Sequence, residues 1–126
     1  MSYAEYEMKV VQWGEARGIV QNGKPVGQAR KTVEESGELL EATAKLKVLA
    51  DLVTQWPGIE SEKPFLAYRE KVLAEAKDAI GDTLVTLIMA AATLDVDVVE
   101  CLAGAYNEIK DRKGFLNASG IFVKEV

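Results

Sequence analysis

The stretch Lys71-Val-Leu-Ala-Glu-Ala-Lys-Asp-Ala-Ile-Gly-Asp-Thr-Leu-Val-Thr-Leu-Ile-Met-Ala-Ala-Ala-Thr-Leu94 decides the fold. Its apolar residues recur at helical rather than alternating spacing. Leu73, Ala76, Ile80, Leu84, Leu87 and Ala91 fall on one helix face. Opposite them runs the row Glu75, Asp78, Asp82, Val85 and Met89, which begins acidic and turns apolar. The far end of that row should therefore meet a second buried surface. Asp82 is embedded in a run without other charge, so it reads as a buried carboxylate. Such a group is costly unless paired, protonated or bound to a cation. Gly81 beside it costs about 1 kcal/mol in mid-helix, which points to close approach by another group.

Working outward, helix signals dominate and strand signals are nearly absent. Pro64 fits the first turn of this helix, which continues to about Leu94. Before it, Thr54–Lys63 is a polar connection broken by Pro57-Gly58. A long helix is expected from about Gly27 to Val53. Ser2 can cap a first helix through about Arg17, with Tyr6, Val10 and Trp13 at spacings of four and three. Gly18 allows its termination, and Gln21–Pro25 is turn chemistry. Asp95 or Asp97 caps a last helix ending near Lys113-Gly114. The tail, Phe115–Val126, carries a turn signal at Asn117–Gly120 and reads as a small hairpin or an arm. The expectation is an all-α bundle of about four helices in one domain.

Composition bounds the chemistry. In 126 residues there are 20 acids, 15 bases, one cysteine and no histidine, giving a formal charge of −5. Without histidine there is no Ser-His-Asp triad, no Cys-His nucleophile and no His/Cys zinc site. One cysteine makes no disulfide within the chain. The N-terminus lacks a signal-peptide pattern, and the longest uncharged run after Asp82, Thr83–Leu94, is too short to span a bilayer. These features describe a soluble, cytoplasmic protein with no membrane partner. The negative charge disfavours nucleic-acid polymers, whose phosphates need a basic face. It permits a single nucleotide accompanied by a metal ion.

The long helix before the Pro-Gly break divides into two arcs. Lys31, Glu34, Glu38, Glu41 and Lys45 share about 80° of its surface, a solvated face with Glu41–Lys45 as an i,i+4 pair. Glu35 falls instead with Leu39, Ala42, Leu46, Leu49 and Val53, and Glu38 lies on the border. If the two long helices pack antiparallel, Glu35 and Glu38 converge with Asp78 and Asp82. Four carboxylates in a partly buried site require cations. All-oxygen ligation selects hard ions, with Mg²⁺ the natural occupant and Mn²⁺ the second candidate. Di-iron bundles use Glu-x-x-His, which this chain cannot make. No P-loop is present. Carboxylate-held Mg²⁺ characteristically works on phosphate oxygens.

Lys31-Thr-Val-Glu34-Glu35-Ser-Gly-Glu38-Leu39 resembles the Glu-Glu-x-x-Glu motif of the MazG-like, all-α nucleoside triphosphate pyrophosphohydrolases. Gly81-Asp82-Thr-Leu-Val resembles their second motif, Glu-x-x-Asp followed by apolar residues. Tyr106-Asn107-Glu-Ile-Lys110-Asp-Arg112-Lys113 is similar to their basic C-terminal helix, and the tail to that of small phage-type members. The resemblance spans roughly residues 25–115. It implies Mg²⁺-dependent hydrolysis of a nucleoside triphosphate, preferably a deoxynucleotide, to the monophosphate and pyrophosphate, in a nucleotide-pool house-cleaning role. Glu35, Glu38 and Asp82 become metal ligands, and Glu34 or Glu38 the residue that orients water. The motif's first acid should stand where this chain has Ala79, and Asp78 is the candidate substitute. Glu75-Ala-Lys-Asp78 also matches Glu-x-x-Asp but lacks the Gly-Asp-apolar context.

Lys31, Lys110, Arg112 and Lys113 can neutralise phosphates, although Lys110 and Lys113 are also ordinary last-turn bases. Asn107 joins the substrate-contacting set by its place in the resemblance. Trp13 and Tyr106 can stack on a base or belong to the core. Cys101 reads as a small buried hydrophobe, and Trp56 as cover for a partner surface. Two apolar faces on one helix, and the family's oligomeric habit, imply a homodimer or homotetramer. The competing class is a non-catalytic helical-bundle interaction protein with a structural or vestigial carboxylate cluster, and Ala79 is its best support.

Overall fold

The computed structural model describes residues 1–125, which are mostly helical. The chain divides into two compact units, Met1–Leu94 and Asp95–Val126. The first contains α1 (Tyr3–Ala16), α2 (Ile19–Asn22), α3 (Pro25–Gln55), a 3₁₀ turn (Ile59–Ser61) and α4 (Lys63–Thr93). The second contains α5 (Val98–Ile109) and two short strands, β1 (Gly114–Leu116) and β2 (Phe122–Lys124). Among the described residues no helix is long and apolar enough to cross a membrane.

Local chemistry accounts for most boundaries. Ser2 Oγ accepts the Glu5 amide at the start of α1, the usual N-cap arrangement. Gly18 ends that helix with φ 74, a left-handed turn that glycine makes without steric cost. The four-residue α2 falls where turn chemistry is anticipated, because a single helical turn has no periodicity to read. Proline stands in the first turn of both α3 and α4. Asp97, rather than Asp95, caps α5, its side chain accepting the Val99 amide at 2.8 Å. The last helix stops at Ile109, short of the Lys113-Gly114 end expected. Lys110 is its C-cap, and Arg112 and Lys113 lie beyond it. The tail forms an antiparallel hairpin with Phe115 opposite Val123. Within this unit no described residue is buried, so Cys101 is an exposed free thiol rather than a core residue.

In the first unit α3 and α4, 31 residues each, pack antiparallel. Thr32 donates to Thr86 at 2.8 Å, while further along Lys45 meets Glu75 at 3.6 Å. Partner numbers fall on one helix as they rise on the other. The α3 arc is buried as its spacing predicts: Ala42 and Leu49 are buried, and Leu39, Leu46 and Val53 half-buried. On α4 the seam differs from the expected face. Val72, Ala76, Ala79, Thr86 and Met89 are buried, whereas Ile80, Leu84 and Leu87 are 48, 44 and 42% exposed. Small Ala and Thr side chains let two long helices approach closely, and the bulkier residues form a second, outward stripe. The acidic row does end at a second buried surface. A Cβ on Gly14 would lie 2.5 Å from Met89 Sδ, so α1 rests closely on α4 here and a larger residue would have to displace the Met89 side chain. Nothing stands within 4 Å of a Cβ built on Gly81, so the close approach expected there occurs at Gly14 instead.

Candidate metal centre

Because α3 presents Glu34, Glu35 and Glu38 within about one turn, their carboxylates can converge. One oxygen from each lies within 4.8 Å of the others. Lys31, one turn earlier, donates to Glu34 Oε2 at 3.1 Å. That contact and the neighbouring carboxylates raise the Lys31 pKa. Glu35, the residue that sequence spacing sets apart from the solvated face, is half-buried. Its pKa is raised, first by desolvation, then by the Glu38 charge, a hydrogen bond with Glu38 and the Asp82 charge, with Lys31 acting in the opposite direction. Asp82 on α4 is thus close enough to bear on Glu35 across the helix seam. It is itself exposed, not buried; the desolvated carboxyl of the group is Glu35.

The acids open onto two clefts. One, of about 460 Å³, is lined by Lys31, Glu35 and Asp82 at a charged end. Trp13, Ile19, Gln28, Val85, Thr86 and Met89 complete it. The other, of about 310 Å³, is lined by Glu38, Glu41, Ala42, Lys45, Glu75 and Asp78. Asp78 therefore shares a cleft with Glu38 but not with Glu35 and Asp82. Ala79, 2% exposed, occupies the seam where the resemblance calls for an acid. Lys45 reaches Glu41 at 3.9 Å and Glu75 at 3.6 Å, so the smaller cleft carries its own counter-charge.

Of the substrate-contacting candidates, Lys31 and Trp13 join Glu35 and Asp82 in the larger cleft. Asn107, Arg112 and Lys113 belong to the second unit, where they line a recess with Glu108, Asp111, Lys124 and Glu125. Lys110 caps α5 in the same unit. Sequence reasoning missed two lining residues of the larger cleft and one residue that contacts its Trp13. Ile19 lies on the short α2, and Gln28 lies one helical turn before Lys31. Arg17 sits 4.7 Å over the Trp13 ring, a cation–π contact legible as an aromatic–Arg pair four residues apart. No family model, curated protein or solved structure matches this chain.

The donor set suits a hard divalent cation. It is all carboxylate, and one oxygen from each of three glutamates lies within 4.8 Å of the others.

Proposed function

We propose that this chain is a MazG-like pyrophosphohydrolase that converts a nucleoside triphosphate to its monophosphate and pyrophosphate. The observation that carries the reading is the larger cleft, which joins Glu35 and Asp82 from opposite helices to the Trp13 aromatic end. A volume of about 460 Å³ lies within the ordinary range for small-molecule sites. Glu35, Glu38 and Asp82 hold Mg²⁺, or Mn²⁺, with Asp78 an outlying acid of the neighbouring cleft. When bound, the ion would neutralise charge on the triphosphate oxygens and so make phosphorus more open to attack by water. Glu34, at the edge of this group and held by Lys31, is the candidate to position water. Water attacks the α-phosphorus, its proton passes to a Glu34 carboxylate oxygen, and the bond to the β-phosphate bridging oxygen breaks. Glu38 is the second candidate for the proton acceptor. Lys31 draws phosphate charge into the cleft. The protein acts in the cytoplasm on free nucleotides, not on nucleic-acid polymers.

The exposed stripe Ile80, Leu84 and Leu87 supports a homodimer or homotetramer, since burying the remaining half of each such side chain stabilises by about 1 kcal/mol. A stable 13.7 kDa species in sedimentation at micromolar concentration removes that part of the proposal. Buried Ala79 favours a second reading, an interaction protein whose acids are vestigial. The discriminating experiment is Mg²⁺-dependent pyrophosphate release over a panel of ribo- and deoxynucleotides, including damaged ones, with Glu38→Gln and Asp82→Asn as controls. Activity lost in both variants at unchanged helicity supports the enzyme. Equal inertness of wild type and variants leaves the interaction protein.

A further inference from the structure

We infer that Gln28 is the residue that reads the base, with the Trp13 indole as the platform against which the base lies; this rests on the nucleotide reading above. The larger cleft is chemically polarised. Lys31, Glu35 and Asp82 make one part charged, and Trp13, Ile19, Val85 and Met89 make the rest apolar or aromatic. A molecule that fits both has an anionic portion and a flat, weakly polar portion, as a nucleotide does. Gln28 supplies the only side-chain amide among the described lining residues. It is half-buried in the first turn of α3. Its backbone carbonyl accepts from Thr32 Oγ1 at 3.1 Å, but among the described residues its amide has no hydrogen-bond partner. Two other polar neighbours are already engaged: Thr86 Oγ1 accepts from Thr32 and donates to the Thr83 carbonyl, and Lys31 binds Glu34.

A primary amide offers one donor group and one acceptor side by side, which matches the paired donor and acceptor on a nucleobase edge. Arg17 fixes the platform, its guanidinium 4.7 Å over the indole and donating to the Trp13 carbonyl at 3.4 Å. Stacking alone tolerates every base. Discrimination therefore falls to Gln28, because an unmatched base leaves its half-buried amide without partners.

The test uses the full chain with Trp56→Phe, so that fluorescence reports Trp13 alone. Nucleoside monophosphates of each base are titrated, with ribose 5-phosphate as the baseless probe. Quenching is expected, with affinities spread at least tenfold across bases. Gln28→Met, similar in volume, should weaken the best base by about 10–100-fold, compress the spread to under about threefold and leave ribose 5-phosphate unchanged. Gln28→Glu keeps acceptors and loses the donor, so it should alter which base ranks first. Circular dichroism confirms that each variant is folded. An unchanged base ranking in both variants, or no quenching by any base, overturns the inference. Hydrolysis of triphosphates with a ranking indifferent to Gln28 sinks the base reader and leaves the enzyme standing. Base-selective quenching lost in Gln28→Met, with no triphosphate hydrolysed, sinks the enzyme and leaves the base reader.

Discussion

The two clefts along the α3–α4 seam are built from the same materials but place their single lysines differently. In the smaller, Lys45 stands between Glu41 on its own helix and Glu75 on the other, and so pairs with two of the cleft's four acids. In the larger, the available base, Lys31, is drawn to Glu34, while desolvation and the charges of Glu38 and Asp82 raise the Glu35 pKa. Counting acids does not distinguish a surface from a cation site. What distinguishes them is whether a lysine already occupies the position that a metal needs.

The sharpest way to break this comparison is to remove one acid from each cleft. Asp82→Asn should lower pyrophosphate release by about 10²-fold or more, with Glu38→Gln similar. Asp78→Asn should change it by less than about threefold. Equal losses from Asp82 and Asp78 would erase the distinction between the clefts. Stripping divalent ions with a chelator should abolish turnover, and adding Mg²⁺ at 100 times its Kd should stabilise the fold by about 2.7 kcal/mol, read as a rise in Tm.

The seam between the clefts offers a smaller effect. Thr86→Val leaves the Thr32 hydroxyl without its cross-helix partner and should destabilise by about 1 kcal/mol in urea unfolding. Lys45→Gln should cost less than that, because the ion pairs are more than a third exposed. It should nevertheless let the smaller cleft take up a weak second divalent ion, visible as an added phase in Mn²⁺ titration.

The last contrast is in pH dependence. The native state holds the Glu35 proton more tightly than the unfolded chain, whose glutamates titrate near about 4.3. Ion-free stability should therefore fall as pH rises from that value through the raised native one, since there the native state binds more protons. A cation must displace that proton, so divalent affinity should weaken as pH falls through the same window. Glu35→Gln should flatten the stability trend. An unaltered trend in Glu35→Gln would place its origin in another group.

Much of this was legible in the sequence, residue by residue. The Ser2 cap, the Leu39–Val53 arc and the separation of Glu35 from Glu34 follow from spacing alone, because each depends on a single helix. The seam of α4 was less legible. Hydrophobicity favours Ile80, Leu84 and Leu87, while close packing of two long helices favours Ala76, Ala79 and Thr86, and packing prevails. That shift leaves Asp82 exposed. The larger cleft was legible only in part: Trp13, Lys31, Glu35 and Asp82 stood among the candidates, but Ile19 and Gln28 join them only once α1 and α2 have settled on α4. Gly14 carries no pattern that announces such a contact.

Met89, one of the two largest side chains that are fully enclosed, both underlies Gly14 and lines the larger cleft. Ligand range and folding are therefore not separate traits in this protein. Trimming Met89 to admit a bulkier guest would remove about 2–5 kcal/mol from the fold, much of what a domain of this size has in reserve. Adaptation to new ligands should instead accumulate at Ile19 and Gln28, where the cleft can change without touching the packed interior.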